Sequence, residues 1–355
     1  MYIANMIILN KAELFFKTTF RGQTMNIYDI AKAAGVSIAT VSRVINGSGK
    51  VSPATRDKII SIIEENDYTP NAFARGLGTG SMNTVGILCA NTSDMYLSEA
   101  VYHLENNLRK NGFNSLLCCT GYDRAEKENA LRLMLSKNVD AIILVGSNYI
   151  EPEDSANDYI RRAAQQVPVF MMNGAIKGDN IYCVTCDDYT VSCELADYLL
   201  STGSRSILFA QRNNSYSTRR MIAGISDACA KHGVEFNDEH IVNCEVGVAG
   251  VARSLRAAMQ RLSFDTIMCF NDLLAASALK YAEQEGICVP SQLRISGYDY
   301  SVLSLTTTPL LTTVDNKVEL MSHTTVDVLL HCLAKDMLVS QHTVISANIV
   351  KGSST

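Results

Sequence analysis

Ile27-Tyr28-Asp29-Ile30-Ala31-Lys32-Ala33-Ala34-Gly35-Val36-Ser37-Ile38-Ala39-Thr40-Val41-Ser42-Arg43-Val44-Ile45-Asn46 reads as two short helices broken at Gly35. Ile30, Ala31 and Ala34 recur at helical spacing on the first helix. Gly35 permits a sharp reversal, and Ser37 can cap the second helix by accepting a backbone N–H bond. Val36, Val41 and Val44 can then face inward, while Ile38, Ala39, Thr40 and Arg43 face outward. Two short helices joined by such a turn are the pattern of a DNA-reading helix-turn-helix.

The run from Tyr28 to Asn46 is followed by Gly47-Ser48-Gly49-Lys50-Val51-Ser52-Pro53-Ala54-Thr55-Arg56 and by Tyr68-Thr69-Pro70-Asn71-Ala72-Phe73-Ala74-Arg75-Gly76-Leu77. Together these stretches resemble the headpiece of the lac repressor/galactose repressor family. A three-helix bundle with no nucleic-acid role would need only the helical periodicity, and not also the turn glycine, the cap and the Asn-Gly-Ser loop in this order. The resemblance implies a sequence-specific transcriptional regulator, a repressor of carbohydrate-related genes whose operator affinity is set by a small hydroxylated effector. The alternative is a corepressor-dependent or global regulator of the same family that answers to a non-sugar ligand or a protein partner.

By match to the family, Ile38, Ala39 and Arg43 are the base-reading positions. Arg43 can donate two hydrogen bonds to guanine, whereas Ile38 and Ala39 offer apolar contact suited to a thymine methyl. Phosphate contacts are expected from Tyr28, Thr40, Ser42, Asn46, Lys50, Ser52 and Thr55, which can fix the register without reading sequence. Each could equally be a cap or a solvated residue, and Ser52-Pro53 suits the start of a third helix, about Pro53 to Asn66. Residues 71–83 join reader to body. The resemblance makes them a hinge helix in which Asn71, Ala74 and Leu77 meet the minor groove, Leu77 as the wedge. Gly76, Gly78 and Gly80 each cost about 1 kcal/mol against alanine in a helix, so the free hinge is expected to be disordered.

A chain of 355 residues with 47% hydrophobic content can build two or three globular domains. Residues 1–80 carry 9 Lys/Arg against 6 Asp/Glu, which leaves 22 against 30 of the total 31 and 36 for the remainder. A mildly basic reader therefore precedes an acidic body, an arrangement that confines attraction to DNA to one end. The 11 cysteines come without a cleavage pattern or an extracellular repeat, so a reduced cytoplasmic setting and mostly core thiols are expected. Residues 1–24 precede the resemblance and read as a disordered extension or a start-site artefact. Their run Met6-Ile7-Ile8-Leu9 is too short for a membrane span. The headpiece is then 25–70, the hinge 71–83 and the body 84–355.

In the body, apolar runs alternate with amphipathic stretches. Val85–Ala90, Asn114–Cys119, Ala141–Val145 and Pro168–Met172 predict buried parallel strands, and Ser206–Ala210, Ile241–Cys244, Thr266–Phe270 and Leu293–Gly297 repeat the pattern. The fold class is α + α/β: a three-helix headpiece, then two doubly wound lobes dividing near residues 185–190, with the chain crossing back near Leu311–Val314 before a helix from Lys317 to Lys335. This is the architecture of periplasmic sugar-binding proteins, and the repressor resemblance extends over it through Phe270-Asn271-Asp272-Leu273-Leu274-Ala275, Ser296-Gly297-Tyr298-Asp299 and Pro309-Leu310-Leu311-Thr312-Thr313-Val314.

Ligands in such sheets sit beyond the carboxyl ends of strands. Asp94, Tyr96, Asn148, Asn173, Asn271 and Asp299 fall there, and by family position Asp299 and Asn271 are the candidates to bridge effector hydroxyls. Asp272 is expected to cap the helix that begins beside it. Two departures from the family stand out. Met221 occupies the place of an effector-binding arginine, with Arg219 and Arg220 beside it, and Glu245 stands where an aromatic platform is frequent. The clamp is therefore assigned to Arg219 or Arg220, which would admit an acid or phosphate, while Glu245 either joins Asp299 and Asp94 in a cleft that favours a hydroxyl-rich neutral or cationic ligand or is simply exposed.

Effector binding is expected to move the lobes and change hinge spacing, in a homodimer that reads a near-palindrome of double-stranded DNA. No terminal heptads follow Lys351, so a tetramer is disfavoured. The strand-helix turns hold no Gly-x-Gly-x-x-Gly or Walker loop, and the 6 histidines show no metal-ligand spacing, so neither catalysis nor a cofactor or metal is expected. Cys183-Val184-Thr185-Cys186 has redox spacing but lies on a strand rather than opening a helix.

Overall fold

The computed structural model describes residues 25–45, 47, 50–68, 81–335 and 339–355, in two compact units, 1–82 and 83–355. Asn46, Asn71, Ala74 and Leu77, together with residues 1–24 and most of the hinge, lie outside the described residues.

The first unit holds α1 (Ile27–Ala34), α2 (Ile38–Ile45) and α3 (Pro53–Glu65). Asn26 caps α1 by accepting from the Tyr28 and Asp29 amides at 2.9 and 3.2 Å, and Asp29 returns a carboxylate to the Asn26 amide at 3.0 Å. Gly35 ends α1 at φ 69°, a left-handed conformation that costs glycine nothing. Ser37 accepts from the Thr40 amide at 3.2 Å and so starts α2. Ile30, Ala31, Ala34, Val41, Val44 and Ile59 form a single core, and the inward and outward faces of α2 are those the sequence predicts.

The second unit builds two parallel sheets. The first lobe contains β1 (Thr84–Cys89), α4 (Met95–Lys110), β2 (Asn114–Cys119), α5 (Arg124–Ser136), β3 (Ala141–Val145), α6 (Asp158–Ala164), β4 (Val169–Met172) and β5 (Ile181–Cys186). The second contains α7 (Asp188–Ser201), β6 (Ile207–Gln211), α8 (Tyr216–Lys231), β7 (Ile241–Asn243), α9 (Val248–Met259), β8 (Thr266–Cys269), α10 (Asp272–Glu285), β9 (Arg294–Ser296), α11 (Val302–Thr306) and β10 (Thr313–Asp315). The chain then returns through α12 (Val318–Leu333), β11 (His342–Ile345) and β12 (Asn348–Val350).

Strand order is β11-β5-β4-β3-β1-β2 in the first sheet and β7-β6-β8-β9 in the second, with β10 and β12 forming an antiparallel pair. The chain thus passes between lobes three times: after β5, after β10 and after β11. β1, β3 and β4 are buried on both faces, because helices cover both sides of a parallel sheet.

One expectation, that of a buried strand at Asn114–Cys119, fails here, while most thiols are core as expected. β2 is an edge strand, so Leu116, Leu117 and Cys119 are exposed rather than core. Of the 11 cysteines, 89, 183, 186, 229, 244 and 269 are buried, while Cys118, Cys193 and Cys332 are half-buried and Cys119 and Cys288 exposed. An apolar run does not reveal whether its strand has a neighbour on each side.

Candidate functional site

Two surfaces carry the chemistry, one on each unit. On the headpiece, Ile38, Ala39 and Arg43 point outward from α2, and Tyr28 stands 66% exposed in the first turn of α1. Among the described residues of this unit three helices begin, at Ile27, Ile38 and Pro53, and the free backbone N–H groups of a helix start favour anions. Thr40 Oγ1 pairs with Ser37 Oγ at 2.9 Å, and Ser52 caps α3 while its hydroxyl lies 2.8 Å from Thr55 Oγ1. Thr40, Ser52 and Thr55 therefore organise helix starts whatever else they touch. Ser42 is half-buried and Lys50 exposed.

In the body, a cavity of about 60 Å³ lies between the lobes. Asp94, Tyr96, Asn148, Asn173, Asn271 and Asp299 all line it, drawn from the ends of five different strands or the helices that follow them. Local folding explains their placement. Asp94 caps α4, accepting from the Leu97 amide at 3.0 Å, and Asn271 caps α10, accepting from the Leu274 amide at 3.0 Å. Asn173 and Asp299 follow β4 and β9 with φ of 64° and 93°, left-handed backbone that holds their side chains at the lobe boundary. Asn316 Nδ2, at the second crossing, donates to Asp299 Oδ1 at 2.8 Å.

The cleft is electrostatically unusual. Burial drives the Asp299 carboxyl well above the ordinary carboxylate range, and repulsion from Asp272, Asp94 and Asp188 adds to it. Burial likewise raises the phenol of Tyr96, whose Oη has no hydrogen-bond partner among the described residues. Asn148 Nδ2 is also buried without a partner. Leaving such a group unmade costs about 1–3 kcal/mol, so these groups are held ready for something other than the protein.

Comparison with known proteins places this geometry. A family model described as periplasmic binding proteins and sugar binding domain of LacI family matches residues 82–351, and one described as bacterial regulatory proteins, lacI family, matches residues 26–71. An HTH-type transcriptional regulator of Lachnoclostridium phytofermentans is 40% identical over 328 residues, covering 92% of this chain and 98% of its own. The chain belongs to the LacI family.

Solved structures agree on the fold of this LacI-family chain. The lac repressor dimer bound to operator and the anti-inducer ONPF has a TM-score of 0.81 at 20% identity, over 94% of this chain and 99% of that one. The transcriptional regulator CelR–cellobiose complex has a TM-score of 0.68 at 22% identity, over 93% and 100%. The protein is thus a DNA-binding transcriptional regulator and not an enzyme.

Three assigned side chains are not brought into the cleft of this LacI-family regulator. Arg219 and Arg220 turn from α8 toward a separate groove of about 940 Å³, where Arg219 donates to the Asn214 carbonyl at 2.8 Å and Arg220 to Asp187 at 3.3 Å. Met221, one helical position on, faces the cleft instead; adjacent helix residues point about 100° apart, so the clamp does not move by one position. Glu245 is exposed and paired with Arg253. Asp272 is not the cap of α10. Its buried carboxylate accepts from Thr313 Oγ1 at 2.6 Å and from Ser301 N and Oγ at 2.7 and 2.9 Å, tying β10 to the loop after β9. Gly297 is needed there, since a Cβ would lie 2.1 Å from Asp272 Oδ1.

Sequence reasoning also missed lining residues. Tyr122, Asn213, Ser217 and Tyr298 face the cavity, and Tyr298 Oη donates to the fully buried Asp188 at 2.6 Å. No local signal singles out Asp188, which follows Asp187 at the end of β5. The Cys183 and Cys186 spacing is structural: both lie on β5, and burial pushes the Cys183 thiol up to about 11 and raises that of Cys186 as well.

Proposed function

We propose that the protein is a repressor whose operator affinity is set by a neutral, hydroxyl-rich effector, a sugar or sugar derivative, bound between the lobes. The observation that carries this reading is the convergence of unpartnered Tyr96 Oη and Asn148 Nδ2 on a cleft that also holds the Asp299 carboxyl. Vicinal hydroxyls both donate and accept, and so satisfy all three. Among the described residues no lysine or arginine lines the cavity, which speaks against a phosphate or an acid now that Arg219 and Arg220 point elsewhere. The cellobiose complex of a structurally similar regulator agrees with a sugar.

DNA reading rests on Ile38, Ala39 and Arg43, with phosphates held by Tyr28, Thr40, Ser42, Asn46, Lys50, Ser52 and Thr55, and with Asn71, Ala74 and Leu77 at the minor groove. One bidentate arginine per headpiece is too little for a specific site, so the chain acts as a homodimer on a near-palindrome, within the cell. The outer edge of β2 supports this: the strand pairs only with β1 among the described residues, and its exposed Leu116 and Leu117 invite a partner.

A second reading draws on the cavity itself. At about 60 Å³ it is far below the roughly 300–1,000 Å³ of most ligand pockets, so the lobes must part to admit a sugar ring. A regulator that answers to a partner protein would not need that opening. Selection of genomic fragments on the purified protein, followed by titration of the recovered operator with neutral sugars, separates the two. A palindrome whose affinity changes with a sugar supports the first reading; a palindrome indifferent to every sugar supports the second.

A further inference from the structure

Helices α4 and α12 lay two Glu-x-x-x-His pairs side by side: Glu99 and His103 on one, Glu319 and His323 on the other. A spacing of four puts each glutamate one turn before its histidine on the same helix face. Helix packing then brings the pairs together although more than 200 residues of chain separate them, which is why no ligand spacing is visible in the sequence. One ligand atom from each of His103, Glu319 and His323 lies within 4.8 Å of the others. His103 Nδ1 is 3.9 Å from Glu319 Oε1, and its Nε2 is 3.9 Å from Glu99 Oε1. The two imidazoles stand 6.2 Å apart at 72°.

We propose that His103, Glu319 and His323 bind one divalent transition-metal ion of the zinc, cobalt or nickel type. Two imidazoles and one carboxylate are the donor set such ions take, and calcium or magnesium would call for more oxygens. Bonds of about 2.0–2.2 Å in tetrahedral geometry put ligand atoms roughly 3.5 Å apart. The three side chains therefore close by about an ångström, a movement open to them because Glu319 is 67% exposed and neither histidine is fully buried. Glu99 faces the other ring nitrogen of His103. That is the orienting carboxylate behind a metal-bound imidazole, and it leaves Nδ1 free to ligate.

The ion would brace two helices whose starts border the cleft. α4 begins at Asp94, and α12 begins just after Asn316, which holds Asp299. The metal site itself does not depend on what the cleft binds.

The test uses the tag-free full chain, kept reduced, and titrates it with Zn²⁺ and Co²⁺ by calorimetry and absorption. One equivalent per chain is expected, with visible cobalt d–d bands and no near-ultraviolet thiolate band. His103→Ala and His323→Ala should each weaken binding beyond about a hundredfold, and Glu99→Gln by about tenfold, following the usual weight of orienting partners. Unchanged melting temperatures of the metal-free variants would show that the fold is intact. Absence of saturable binding, a thiolate band marking cysteine ligands, or a His103→Ala/His323→Ala double variant that binds as the parent does would each overturn the proposal.

Discussion

The headpiece and the interlobe cleft solve recognition in opposite ways. The headpiece gathers a small apolar core from neighbouring stretches of chain and leaves the proposed reading groups outside: Arg43, Ile38 and Ala39 are exposed. The cleft buries the groups proposed to meet the effector. Tyr96 Oη and Asn148 Nδ2 lack partners, Asp299 is pushed toward its neutral form, and two lining residues hold left-handed backbone. A DNA duplex supplies its own charge and shape, so its reader need only present side chains. A small molecule must be enclosed, so its sensor accepts local instability that the ligand relieves.

The largest effect should fall on the reader. Arg43→Ala is expected to weaken operator binding by about 2–6 kcal/mol in a dimer, because each bidentate guanine contact is worth about 1–3 kcal/mol; fluorescence anisotropy on the palindrome reads it, with effector affinity unchanged. Next comes the headpiece core, where Ile30 is fully buried. Ile30→Ala should cost that unit about 2–5 kcal/mol, seen in calorimetry as early melting of the headpiece while the transition of the body, which has its own cores, stays put.

Asp299→Asn should move the cleft in two directions at once. Effector response is lost, yet the variant gains stability relative to the parent as pH rises. A carboxyl whose folded pKa lies above its unfolded value of about 3.9 gives its full stability below that value and loses it as pH climbs through the folded pKa. The amide has no such loss. The gain in melting temperature, on the order of a few degrees, should be present at neutral and alkaline pH and vanish near pH 3.5. An unchanged difference across that range would break the contrast between a stable reader and a destabilised sensor. Smallest of all is Glu245→Ala. Its partner Arg253 is 61% exposed, so stability should shift by less than about 0.5 kcal/mol and effector affinity not at all, as thermal melts and ligand titrations would show.

What was legible in the sequence divides along the same line. The turn at Gly35, the cap at Ser37 and the inward valines are local, and the structure repeats them to the residue. Strand positions in the body were nearly as clear, since apolar runs bounded by turns mark them. Placement across the sheet was not: nothing in Asn114–Cys119 says that it lacks a neighbour. Side chains at strand ends, such as Asn173, Asn271 and Asp299, could be found because the end of a strand is itself a local signal. Arg219 and Arg220 could not be placed, because the direction of a helix residue depends on rotation about the helix axis, which packing of α8 against α7 decides. Asp188 was hidden for a related reason. Its partner Tyr298 is 110 residues away, and only the packing of the second lobe, which puts the start of α7 beside the loop after β9, brings the two together.

The most direct measurement is the affinity of the full chain for its selected operator across a series of neutral sugars, with Asp299→Asn run in parallel. A sugar that changes the affinity of the parent by at least about fivefold, in either direction, and leaves the variant unmoved is the expected result. An operator bound tightly by both proteins and indifferent to every sugar, or a variant that responds as the parent does, would contradict control of DNA binding through the interlobe cleft.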